Sequence, residues 1–159
     1  WLFISIINLT FLGIINAFYL SYEAHQISQL VSQPSYWTLF QWWFVKNTFC
    51  DINETFSCSS FMANPASKLF WIPFPYIAAI VYPILFILSL IAFRAKSNNI
   101  VRAIFILSLM WIAFNSIIIS REFTLWVFCP ACLMCTAYIV SIAILSGIIL
   151  KNNKKVISK

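Results

Sequence analysis

The chain has 159 residues; 62% are hydrophobic, 18% aromatic and only 9% charged, and the formal net charge is +6. A soluble domain averages about 25% charged residues, so a fold solvated on all sides is excluded. Seven of the ten basic residues sit in two short runs, Arg94–Arg102 and Lys151–Lys159, a distribution that argues against a nucleic-acid-binding surface.

Four stretches carry no charge: Trp1–Tyr22, Leu69–Phe93, Ala103–Ser120 and Phe123–Leu150. A helix needs about 20 apolar residues to cross the hydrocarbon core, and roughly 17–25 are tolerated. Helix is the expected form, because a spanning segment must satisfy its backbone polar groups internally. The chain is therefore predicted to be an all-α membrane protein. It would be a four-transmembrane-helix bundle with an outer capping loop that carries a cysteine pair. One domain would cover residues 1–159, with spans at about 2–22, 75–93, 102–120 and 125–150 and the outer loop at 23–74.

The first apolar run lacks a small-residue cleavage site and is read as a retained span. Glu23-Ala24-His25-Gln26 then leads into the outer interface. Tyr36, Trp37, Phe40, Trp42, Trp43 and Phe44 follow, a density of aromatics that suits a helix lying at headgroup depth. The rest of the loop holds Cys50, Asp51 and Cys58, then Asn64-Pro65 as a turn signal. Pro73 and Pro75 are expected to leave Leu69–Phe74 irregular, with helix beginning around Pro75 or Tyr76, since proline is tolerated in a first helical turn. Glycine is almost absent, so Ala, Ser and Thr are expected to allow helix approach.

Arg94, Lys96 and Arg102 occupy the second link. In the third span Asn115 and Ser116 read as inter-helix hydrogen-bonding groups. The third link carries Arg121 beside Glu122 and is short enough to make its two helices antiparallel neighbours. The tail carries Lys151, Lys154, Lys155 and Lys159. This is a positive-inside pattern, with the second link and the tail cytosolic. Both cysteine pairs then face an oxidising compartment, where disulfides persist. The expected location is a bacterial inner membrane with the pairs facing the periplasm, or the endoplasmic reticulum membrane in a eukaryote.

The chemistry lies in the cysteines. Cys129-Pro130-Ala131-Cys132 opens the fourth span. Two thiols at this spacing can close a small disulfide ring, and a helix amino terminus favours the reactive thiolate. The same thiols could simply pack as small apolar groups or bind zinc, although only Cys135 and His25 stand out as further ligands. Cys132-Leu133-Met134-Cys135 is a second CxxC; the proline and the shallower depth favour Cys129/Cys132 as the active pair. Cys50 and Cys58 form a second dithiol, either a staple for the loop or a relay. A relay would exchange with the first pair by thiolate attack through a mixed disulfide, which requires contact between the pairs.

The Cys50-Asp51 start, the spacing to Cys58-Ser59, the proline-containing entry to the second span and the CxxC opening the fourth resemble the vitamin K epoxide reductase family over nearly the whole chain. DsbB-type oxidases share the chemistry but place a CxxC in the first outer loop, the reverse of the order here. The resemblance implies roles for the cysteines: Cys132 faces a quinone, Cys129 exchanges with Cys58, and Cys50 meets the partner's thiol. It also makes Tyr138 similar to the family's quinone-proximal tyrosine. Phe61 and Trp71 are candidate quinone contacts by position. The family's vitamin-K-reducing members use an asparagine early in the second span, and none occurs between Leu69 and Phe93.

The function expected from this resemblance is quinone-dependent thiol oxidation supporting disulfide formation. A thioredoxin-like (DsbA-type) protein acting in trans would give electrons to Cys50/Cys58. They would pass through Cys129/Cys132 to a membrane quinone of ubiquinone, menaquinone or vitamin K type. The alternatives are a quinone or vitamin K epoxide reductase, and a non-enzymatic membrane protein whose cysteines are structural or bind metal.

Overall fold

The computed structural model describes residues 1–32, 50–53, 55–64, 67–69 and 72–157. They form helix α1 (Leu2–Ser32), a short α2 (Cys58–Ala63), strands β1 (Lys68–Leu69) and β2 (Ile72–Pro73), then α3 (Phe74–Ala95), α4 (Asn98–Leu125) and α5 (Pro130–Ile157). The four long helices are each long and apolar enough to cross a membrane, as the charge-free stretches predict. The aromatic run from Tyr36 to Phe44, read as a surface helix, lies outside the described residues.

α1 packs on α3 and α5, and α4 packs on the same two helices, so the four close into a ring. At one end Phe3 of α1 meets Phe93 of α3 edge-on at 6.4 Å, and Asn153 Nδ2 of α5 donates to Asn98 Oδ1 of α4 at 2.5 Å. The basic second link belongs to this end. The opposite end gathers the close of α1, α2, the β1–β2 ladder and the α4–α5 link, and with them all the cysteines.

Each spanning segment buries only 22–33% of its residues inside the bundle. Phe11, Phe18, Ile80, Ile87, Met110 and Ile144 point outward. Lipid tails are as apolar as these side chains, so outward isoleucines and phenylalanines are at no disadvantage in a bilayer, and small residues govern helix contact. The interior accordingly holds Thr10, Ala17, Ala78, Ala92, Ser108 and Ser146, all at 0% exposure. One glycine does mediate a close approach, against expectation. A Cβ on Gly13 would lie 2.2 Å from Cδ1 and from Cε1 of Tyr82, so α1 and α3 meet there only because Gly13 lacks a side chain.

Element boundaries depart from the sequence reading in three places. α1 runs past Tyr22 to Ser32, because the polar residues beyond the span find partners one turn away. Tyr19 donates to Glu23 at 2.6 Å, and Gln29 lies 3.0 Å from His25. The segment before α3 is ordered rather than irregular: Lys68 pairs with Pro73 and Leu69 with Ile72 in an antiparallel ladder, and α3 starts at Phe74 with Pro75 harmless in its first turn. α4 continues through Arg121 and Glu122 to Leu125. The chain breaks only at Trp126, whose left-handed φ of 54° lets its N–H cap the carbonyls of Glu122 and Phe123. The inter-helix role expected of Ser116 is replaced by a bond back to Ile112 O at 2.9 Å, and Asn115 Nδ2 is buried without a partner among the described residues.

Candidate redox centre

The loop half of the site is built on Asp51. Its Oδ1 accepts from Ser57 Oγ at 2.7 Å and from the Ser59 N–H at 3.1 Å. Ser57 is the N-cap of α2 and accepts from the Ser60 N–H at 3.1 Å, the usual way a hydroxyl satisfies a free helix-end donor. Asn53 Oδ1 gathers the N–H groups of Thr55 and Phe56 at 3.0 and 2.7 Å, turning the chain back on itself. The returning strand then forms a parallel bridge with the α4–α5 link, in which Phe128 N donates to Thr55 O at 2.7 Å and Ser57 N to Phe128 O at 3.0 Å. Just beyond the bridge the two strands reach Cys58 and Cys129.

The bundle half is the amino terminus of α5. The Cys129 carbonyl accepts from the Leu133 N–H at 3.1 Å, and Cys129 Sγ accepts from the Cys132 N–H at 3.3 Å. Cys129 thus caps α5 with its sulfur, and Pro130 takes the first helical position, where its missing N–H costs nothing.

The two halves bring the sulfurs into a chain. Cys50 and Cys58 are joined as a disulfide, with Cα atoms 5.6 Å apart. Cys129 and Cys132 are free thiols. Cys58 Sγ lies 3.0 Å from Cys129 Sγ, and both residues are at 0% exposure. With Cys58 held in a disulfide, the Cys129 thiol is the donor in that contact. A thiolate on Cys129 would face the Cys58 sulfur with Cys50 as leaving group, the arrangement that disulfide exchange requires. Cys135 is buried apart from this chain, its Sγ accepting from Asn16 Nδ2 at 3.2 Å.

A carboxylate completes the centre. Glu122, in the last turn of α4, is at 0% exposure. It forms with Cys129 and Cys132 a group whose ligand-type atoms all lie within 4.8 Å of one another. Its oxygens face the Cys129 backbone N–H and the Cys132 thiol without closing to a hydrogen bond with either. These three donors fall short of the four that structural zinc sites use. In the neighbouring group of Cys50, Cys58 and Cys129, two of the sulfurs are already spent in a disulfide.

The family description "Vitamin K epoxide reductase family" matches residues 4–147, nearly the whole chain. The chain belongs to the vitamin K epoxide reductase family. No individual curated protein matches it. Membership in the vitamin K epoxide reductase family supports an oxidoreductase of the quinone-linked thiol class, and the four apolar helices fit a multi-pass membrane protein.

The candidate quinone contacts fall in different places. Phe61 is buried one turn after Cys58 in α2. Tyr138 is half-buried and within electrostatic reach of Tyr82; six residues beyond Cys132, it points roughly a third of a turn away from that thiol. Trp71 lies outside the described residues. A cavity of about 190 Å³ opens between α1, α2 and the start of α3, lined by Ala24, Ile27, Met62, Ser67 and Pro75 among others, and none of its lining residues is a cysteine.

Sequence reasoning missed several residues. Glu122 looks like half of a surface ion pair with Arg121, but Arg121 turns outward to donate to Lys68 O at 3.1 Å while Glu122 turns in. Tyr82, at 0% exposure, donates to Cys135 O at 2.7 Å. Asn16 donates to Ala131 O at 2.8 Å, so both fix the first turns of α5. Asn16 and Tyr82, polar groups set inside apolar spans, were the available signal, since polar groups in a membrane interior are seldom idle.

Proposed function

We propose that this protein oxidises the thiols of a thioredoxin-like partner and passes the electrons to a membrane quinone. The observation that carries the reading is the 3.0 Å approach of Cys129 Sγ to Cys58 Sγ of the Cys50–Cys58 disulfide. Two structural staples would have no need to share a sulfur contact. A relay does, because exchange passes through a mixed disulfide between the pairs.

In the forward direction the partner's dithiol reduces Cys50–Cys58. The freed Cys58 attacks Cys129 of an oxidised Cys129–Cys132 pair and expels Cys132. Cys50 then attacks Cys58, restoring the loop disulfide and leaving Cys129 and Cys132 as thiols. Quinone takes two electrons and two protons from that dithiol, so each turnover makes one disulfide in the partner and one quinol. Phe61, Tyr138 and Trp71 are the candidate quinone contacts. The cysteines face the compartment opposite the basic link, the periplasm in a bacterium.

The test is quinone reduction by purified protein supplied with a reduced thioredoxin-like donor, beside Cys50→Ala and Cys132→Ala. The relay predicts that Cys132→Ala is inactive with every donor. It also predicts that Cys50→Ala fails with the protein donor and retains activity with a small dithiol. Parent-level activity in both variants, or none in the parent with any donor, would sink it.

A further inference from the structure

The thiol relay leaves one buried group of the centre unused. Glu122 is among four acidic residues in the chain, is at 0% exposure, and has neither carboxylate oxygen hydrogen-bonded among the described residues. The large majority of buried polar side-chain atoms have a partner, and leaving one unmade is costly. The elements around Glu122 show what it faces. Its own helix ends one turn later, and the first turn of α5 presents the Cys129 N–H and the Cys132 thiol to it. A helix amino terminus favours negative charge. This carboxylate is aimed at that terminus and at a reacting thiol at once.

We propose that Glu122 is a catalytic acid–base residue that takes the proton of Cys132 and gives it back as the dithiol cycles. The inference rests on the quinone-linked reading. When Cys58 attacks Cys129, the Cys129–Cys132 bond breaks and the electron pair stays on Cys132; protonated Glu122 supplies the proton that makes it a thiol. When the dithiol is oxidised, the Cys132 S–H bond breaks and its proton goes to Glu122. An S–S bond forms between Cys129 and Cys132, and two electrons leave to a quinone. Glu122 hands the Cys132 proton on to the reduced quinone, which gains its second proton from Cys129. Of the two protons that Cys50 and Cys58 release in the next exchange, one goes to Cys129 and the other re-protonates Glu122, so Glu122 is unchanged over the cycle. In a site closed to water, a resident carboxylate does what solvent does at an exposed dithiol.

The test uses the full protein with Glu122→Gln, which keeps size and loses the proton, and Glu122→Asp, which keeps the acid. Two rates are read. The first is single-turnover quinone reduction by pre-reduced protein. The second needs no quinone: dithiothreitol reduces the Cys129–Cys132 disulfide, and release of Cys132 is followed by alkylation and mass spectrometry. Glu122→Gln is expected to slow both by about 100-fold or more, the usual scale for a lost general acid–base, with Glu122→Asp partly restored. Folding is monitored separately by cross-linking of Cys58 to Cys129 in a Cys50→Ala background, which should proceed with Glu122→Gln as without it. Parent rates in Glu122→Gln overturn the proposal. So does loss of the cross-link, which would mark Glu122 as structural. If the parent itself fails to reduce quinone, the functional reading falls, and the dithiothreitol rate still decides the role of Glu122.

Discussion

Cys50→Ala isolates the contact on which the relay depends. Removing Cys50 frees the Cys58 thiol, whose sulfur stands 3.0 Å from Cys129 Sγ. A disulfide bond is about 2.05 Å long, so the two must close by only about 1 Å, well within a rotamer adjustment. Mild oxidation of the variant is therefore expected to cross-link Cys58 to Cys129 in most molecules, read as a joined peptide pair by mass spectrometry after digestion. The stability consequence follows from the rings. On the chain-entropy account, closing the Cys50–Cys58 ring, of sequence separation 8, is worth about 2.5 kcal/mol. The reduced variant should lose about that much, seen as a lower unfolding temperature in detergent. The oxidised variant should recover it, because the new link restrains the same loop through a longer span. A cross-link from Cys58 to Cys132 or Cys135 instead, or no cross-link, would refute the sulfur order.

Other features yield independent checks. Gly13→Ala places a methyl group 2.2 Å from the buried Tyr82 ring and should cost about 1–3 kcal/mol as overpacking, measured by thermal unfolding in detergent. Asp51→Ala removes the acceptor for Ser57 Oγ and the Ser59 N–H. With a charged acceptor worth about 1.5–3 kcal/mol per bond, α2 should loosen, and alkylation of Cys58 in reduced protein should accelerate at least tenfold (about 1.4 kcal/mol). In a background without native cysteines, Lys96→Cys and Ser60→Cys should react with a membrane-impermeant maleimide from opposite sides of the membrane; labelling from one side would overturn the four-span topology.

The spans were legible because charge is so expensive in a bilayer that segments crossing one must be nearly free of it over their whole length. The CxxC was legible because its chemistry is local to one helical turn. Glu122 was not, and the reason is physical. Next to Arg121 it reads as a neutral surface couple, and only the continuation of α4 past both residues rotates one outward and the other toward α5. α1 continues past the expected span end at Tyr22 for a related reason: Glu23 and His25 are costly in lipid but harmless in a helix that projects beyond it. Gly13 could not be singled out, since its importance depends on which side chain of α3 crosses it. The Phe56–Phe128 bridge was invisible, because a single backbone pairing between distant residues leaves no periodic trace.

That bridge explains how two pairs so far apart in sequence come into contact. Its two backbone bonds, at 2.7 and 3.0 Å, hold the strands immediately before Cys58 and Cys129 in parallel register, so the inner sulfurs meet without being joined. Of the outer cysteines, Cys50 lies on the loop and Cys132 one turn into α5. Under the proposed relay, exchange along this line would move a bond between neighbouring sulfurs rather than move a domain between distant sites. Contact between the inner sulfurs is therefore built into the resting fold and need not wait for a loop excursion. What must move is access at the ends: Cys50 is 5% exposed and Cys132 is 3% exposed, so neither a protein thiol nor a quinone ring meets its sulfur without displacing something. Under the relay reading, opening at those ends governs turnover, and the central exchange between Cys58 and Cys129 is the fast step.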